Sequence, residues 1–231
     1  MVPASPAPLL DATEPWIRWN WVGDHVDLIL GALAQHVELT VIAVGVGLLV
    51  AIPIGVLAWR YRGSRAPVLG LAGALYTVPS LALFALLVPW TGLTVLTAEI
   101  GLVSYTLLIL VRNIVTGVDQ VPNEVREAAV GMGYTRGRLL WQIELPLALP
   151  VVIAGLRVAA VTTIGLVTVT SMLGLGGLGY FIRAGIQTAT PNPTEIIVGV
   201  VLSVALAVVV DLVLWLSERL LAPWARKVRT R

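Results

Sequence analysis

The fold class predicted by the sequence is an all-α membrane protein of about five transmembrane helices. Three observations predict it. Of 231 residues, 58% are hydrophobic and 12% charged, whereas soluble domains run near 25% charged, so a water-soluble core of this length would lack a polar coat. The apolar residues fall into five long runs. Lys and Arg gather beside only some ends of those runs, as they do when one side of a bilayer is preferred.

Residues 1–35 cannot span and are expected to form an extracytoplasmic N-terminal segment. Pro3, Pro6, Pro8 and Pro15 predict an irregular start. Val26, Ile29, Leu30 and Leu33 then make an apolar stripe opposite Asp24, His25 and Asp27, downstream of Trp16, Trp19 and Trp21. This reads either as a helix lying in the outer interface or as a packing lead-in to the first span. No basic segment followed by an apolar run stands at the start, so a cleaved signal peptide is not expected.

The transmembrane domain is expected over 36–217. Residues 39–58 are uncharged for 20 positions, enough for a ~30 Å hydrocarbon core. Ala43, Gly47, Ala51 and Gly55 recur every fourth residue there and permit close approach of a neighbouring helix. The second run, 66–90, is broken at Tyr76-Thr77-Val78-Pro79-Ser80. Pro79 frees a backbone carbonyl, tolerated in a membrane where it faces protein or a watery cavity. The third run, 98–118, carries Glu99 and Arg112 near its ends. The fourth, 147–172, contains Arg157; in the fifth, 194–216, Gly199, Ser203 and Ala207 lead to Asp211. Arg157 and Asp211 lie at similar depth near the inner interface, and a structural ion pair between them is expected because a lone intramembrane charge is costly.

Of the 15 basic residues, 12 follow the first, third and fifth spans, including a tail over 218–231. The positive-inside rule places these in the cytoplasm, the N-terminus outside, and the loop 119–146 inside.

That loop has its own punctuation. Pro122 suits a helix's first turn, and Glu124 and Glu127 lie near the positive helix end. Ala128 and Ala129 keep one side thin enough for a groove on another protein. Gly131 and Gly133 end the helix with a sharp reversal, and Thr135 is a candidate cap for the next. Leu139, Leu140 and Ile143 share a face, and Pro146 and Pro150 are expected to reset the chain direction. Local physics leaves two readings open: a stiff lever hinged at both ends, or an amphipathic helix resting on the membrane.

Glu127-Ala128-Ala129, Gly133 and Ile143-x-Leu145-Pro146 together spell E-A-A-x3-G-x9-I-x-L-P, a spacing that chance supplies at a given start roughly once in 10^8 to 10^9. The segment resembles the permease subunits of ATP-binding-cassette importers. The resemblance decides for the lever and implies a type I importer permease fold, with those seven residues coupling to a cytoplasmic ATPase. YTVPSLALFALLVP (76–89), EIGLVSYTLLILVRNIVTGV (99–118) and GLGGLGYFI (174–182) are similar to the osmoprotectant branch, the glycine betaine, carnitine, choline and proline group. Methionine or amino-acid permeases are the alternative. The resemblance implies a multi-pass cell-membrane subunit working with ATPase subunits, a second permease copy or paralogue, and an extracytoplasmic substrate-binding protein. ATP and magnesium would sit in the ATPase, with no cofactor in this chain. Tyr76, Pro79, Ser80, Phe84 and Tyr105 form the candidate translocation path, where aromatic faces would attract a quaternary ammonium; ordinary helix packing is the alternative for each. The basic tail reads as an inner-face anchor or as a sensor of ionic strength.

Other classes find little support. Gly174–Gly179 fits G-x-G-x-x-G but follows a membrane run without a βαβ unit, so a flexible outer turn before a partial helix, helping to form an outer gate, is expected instead. There is no Cys, no H-E-x-x-H and no P-loop, so neither metal ligation, intramembrane hydrolysis nor ATP hydrolysis is expected of this chain. A net charge of +2 with Arg in short clusters does not suggest nucleic-acid binding. A non-transporting scaffold would need neither the broken span nor the loop.

Overall fold

The computed structural model describes residues 15–188 and 192–226. Pro3, Pro6 and Pro8 and the tail's Lys227, Arg229 and Arg231 lie outside the described residues. In chain order come α1 (Trp19–Asp24), α2 (Val26–Arg60), α3 (Arg62–Thr77), α4 (Ser80–Thr91), α5 (Val95–Asp119), α6 (Asn123–Gly131) and α7 (Arg136–Leu139). A π-turn (Leu140–Glu144) leads into α8 (Leu145–Thr170), followed by a 3-10 turn (Ser171–Leu173), α9 (Gly179–Gln187), α10 (Pro193–Leu221) and a 3-10 turn (Pro223–Arg226).

Among the described residues, four helical runs are long and apolar enough to cross a membrane alone: Val26–Arg60, Val95–Asp119, Arg136–Leu173 and Pro193–Leu221. The fifth crossing exists only as the pair α3 and α4, bent by 95°. The bend falls at Val78 and Pro79, where the proline supplies no N–H to continue α3.

α5 is the centre. It packs on α2, α3, α4 and α8. Its partner α2 buries Ala43, Gly47, Ala51 and Gly55, one turn apart. A Cβ on Gly47 would strike Thr106, and one on Gly55 would stand 2.7 Å from Ile114 Cγ2. Only hydrogen at these positions lets the two backbones come so close. On the opposite side a Cβ on Gly117 would stand 3.1 Å from Ala148 O of α8. Gly199 repeats the device between α10 and α9, where a Cβ would meet Ile182 Cγ1 at 2.8 Å.

One open alternative is decided and two expectations are corrected. Of the two readings of the stripe Val26, Ile29, Leu30 and Leu33, the packing lead-in is the one the chain adopts: the stripe opens α2, which continues through Pro53 to Arg60. Ile29 is buried there with Leu178 and Phe181. The glycine turn before α9 is pinned rather than free: Gly177 N–H donates to Gln35 Oε1 at 3.1 Å and Leu178 N–H to His36 Nδ1 at 3.2 Å. The other ring nitrogen of His36 bonds Ile164 O at 3.0 Å, and Ser171 Oγ donates to Gly176 O. Finally, Pro146 and Pro150 do not redirect the chain, since α7, the π-turn and α8 form one helical run. Leu145 N–H bonds Leu140 O, five residues back, and this wider turn gives the Pro146 ring room against the preceding carbonyls.

Replacing Gly55 by Val should therefore cost about 1–3 kcal/mol through overpacking. Gly45→Val, on the same helix where a Cβ meets nothing within 4 Å, is the control. Thermal unfolding in detergent should separate the two, and equal midpoints would contradict the seam.

Candidate functional site

The loop between α5 and α8 is built from local signals. Pro122 caps α6, which has Glu124 in its first turn. The helix ends in a Schellman motif: Gly133 N–H bonds Val130 O at 2.9 Å and Tyr134 N–H bonds Ala129 O at 3.1 Å. Gly133 has φ +83°, a left-handed conformation that costs a residue with a Cβ about 1–2 kcal/mol. Thr135 caps α7, its side chain accepting from Arg138 N–H at 3.4 Å.

The seven motif residues divide. Glu127 and Ala128 are exposed, beside Val130 and Met132, which are 59% and 69% exposed. Ala129 is wholly buried against its own chain, which corrects its expected place on an outward thin face. Ile143, Leu145 and Pro146 are half-buried where the π-turn joins α8. The loop thus has one glycine hinge, at Gly133, and a continuous helix at its other end.

Beneath α6 lies a polar hub. Arg126 Nε donates to Glu144 Oε1 at 2.7 Å, Nη1 to Asn123 Oδ1 at 3.1 Å and Nη2 to Val118 O at 2.7 Å. The guanidinium also stands 5.8 Å from the Trp59 ring. Glu144 is 2% exposed, Arg126 22%. Next to the hub, Arg65 pairs with Asp119 at 2.7 Å, and a cavity of about 1,090 Å³ opens with Arg60, Arg62 and Arg136 on its walls. Sequence reasoning missed Arg126 and Glu144 as site residues. The available signal was that Glu144, the variable position of I-x-L-P, is the sole charge across 139–156.

At the broken span, Tyr105 donates its hydroxyl hydrogen to Val78 O, the carbonyl that the break releases. Tyr76 and Tyr105 meet edge to face, with centroids 5.7 Å apart. Tyr76 and Pro79 are exposed and Ser80 half-buried. Phe84 is corrected: it is fully buried, seated over Gly101, where a Cβ would overlap its ring. It supports the bend instead of lining a path, and Tyr105 is also buried behind the bend.

Arg157 and Asp211 are brought together. Nε meets Oδ1 and Nη2 meets Oδ2, both at 2.8 Å, a two-pronged pair joining α8 to α10. Glu218 Oε2 stands 3.8 Å from Arg157 Nη1.

Comparison with known proteins gives a consistent picture. Residues 43–227 match the family described as binding-protein-dependent transport system inner membrane component. The osmoprotectant import permease protein OsmW of Salmonella typhimurium is 37% identical over 87% of this chain and 94% of its own length. The choline transport system permease protein OpuBB of Bacillus subtilis is 37% identical, covering 82% of this chain and 86% of the relative. Among solved structures, an inward-facing methionine transporter, MetNI, superposes with TM-score 0.76 at 20% identity, over 86% of this chain and 98% of that one. The likeness to MetNI concerns the fold.

The two-pronged pair should show in a double-mutant cycle. Arg157→Leu and Asp211→Leu should each destabilise, and the double variant should lose less than their sum, with a coupling of about 0.5–3 kcal/mol. Additive losses in detergent unfolding would remove the pair's energetic role.

Proposed function

The chain belongs to the family of binding-protein-dependent transport system inner membrane components, and from that premise we propose that it moves compatible solutes of the glycine betaine, choline, carnitine or proline type. It is a multi-pass membrane permease subunit rather than an enzyme. The observation that carries the cargo class is the 37% identity to an osmoprotectant permease over nearly that protein's whole length. The methionine and amino-acid alternative rests on fold likeness at 20% identity, which says nothing of cargo.

In this reading the chain pairs with a second permease copy or a paralogue and alternates access to a path between them. The loop 119–146 faces the cytoplasm and docks an ATPase subunit that holds ATP and magnesium. The N-terminus lies outside, where a substrate-binding protein delivers the solute. The exposed Glu127, Ala128, Val130 and Met132 give α6 an outward face for docking. The exposed Tyr76 beside the bend offers an aromatic surface to a quaternary ammonium.

Uptake of radiolabelled betaine, choline and methionine in cells with and without this chain tests the cargo. Betaine or choline uptake should depend on the chain; dependence for methionine alone would overturn the assignment. Docking is checked by co-purification of the ATPase. Gly133→Val should weaken it, while Gly133→Asn, which tolerates positive φ, should retain it. Full retention and undiminished transport in Gly133→Val would contradict the loop's role.

A further inference from the structure

We propose that Arg126 and Glu144 form the strut by which α6 moves α5 and α8 together, so that this ion pair sets how much of an ATPase stroke reaches the spans. The proposal rests on the reading of 119–146 as the docking loop.

The attachment of α6 to the rest of the chain is sparse. Among its nine residues only Ala129 is buried. At its C-terminal end Gly133 turns in open space, where a Cβ would meet nothing within 4 Å, so this end offers little resistance to bending. A push on the outward face of α6 therefore needs another route inward.

Arg126 supplies it. A single planar guanidinium reaches Glu144 at the head of α8, Val118 O in the last turn of α5, and Asn123 within α6, with Trp59 of α2 beside it. Because its donors are fixed in one plane and Asn123 holds the guanidinium to α6, shifting α6 disturbs the bonds to Glu144 and Val118 together. The acceptor carboxylate is itself held, being 2% exposed. Glu144 also ends the π-turn, a wide turn with a non-standard hydrogen-bond register, of a kind that recurs at functional sites. Motion of α6 is thereby transmitted to two spans as one unit, with the glycine hinge taking up the rest.

The chain contains no Cys, so spin labels can be introduced cleanly at the exposed Val130 of α6 and Val158 of α8. In the isolated permease carrying Val130→Cys and Val158→Cys, the label distance should be narrowly distributed. Adding Arg126→Lys, which keeps the charge but not the planar fork, or Glu144→Gln, should broaden it. In proteoliposomes with the ATPase and binding protein, the same two substitutions should retain assembly and ATP hydrolysis while solute moved per ATP falls roughly 2- to 30-fold. Distances and uptake per ATP both unchanged would overturn the strut, as would loss of assembly with an unbroadened distance. Absence of ATP-driven uptake in the unsubstituted protein would sink the transport reading instead, and the distance measurement would still decide the strut.

Discussion

How closely α2 can lie against α5 governs everything else in this fold. Lipid gives two helices no hydrophobic reason to associate, so their contact must come from tight van der Waals packing. Ala43, Gly47, Ala51 and Gly55 provide it along one face of α2, with Thr106 and Ile114 of α5 filling the space that absent side chains leave. With that seam closed, α5 presents its other faces to α3, α4 and α8. The C-terminal ends of the same two helices then hold Trp59 and Val118 at the right spacing for one guanidinium to reach both. The packing of the span and the anchoring of the loop are parts of one arrangement.

The two ends of the loop differ in mechanical character. At Gly133 the chain reverses through a left-handed residue with open space around it. At Pro146 it continues as helix, the π-turn absorbing what two prolines would otherwise interrupt. The loop therefore bends at its glycine end and is continuous with α8 at the other. The broken second span is likewise braced: Tyr105 satisfies the carbonyl released at Val78, and Phe84, seated over Gly101, holds α4 at its angle.

Local chemistry was legible in the sequence. Long uncharged runs gave the spans, and the loop's caps at Pro122, Gly133 and Thr135 could be read from residue type because each depends on neighbours within five positions. The small-residue face of α2 was legible for the same reason, its period being that of the helix. What escaped depended on distant partners. That Phe84 is core follows from Gly101 opening a socket for it, and nothing near Phe84 announces this. The glycine turn before α9 reads as flexible in the sequence because Gln35 and His36, which pin it, stand some 140 residues earlier in the chain. Ala129 turns to its own chain rather than outward, and Glu144, at the variable position of I-x-L-P, is the most constrained charge in the loop through its burial with Arg126.

In the proposed arrangement the loop faces the cytoplasm and is covered there by an ATPase. Met132, 69% exposed at the end of α6, is the position to probe, in a chain that has no native Cys to compete. A Met132→Cys variant should resist a membrane-impermeant maleimide in intact cells and react in inside-out vesicles stripped of the ATPase. It should be shielded again when the ATPase is restored. Labelling from outside intact cells, or equal labelling with and without the ATPase, would contradict it.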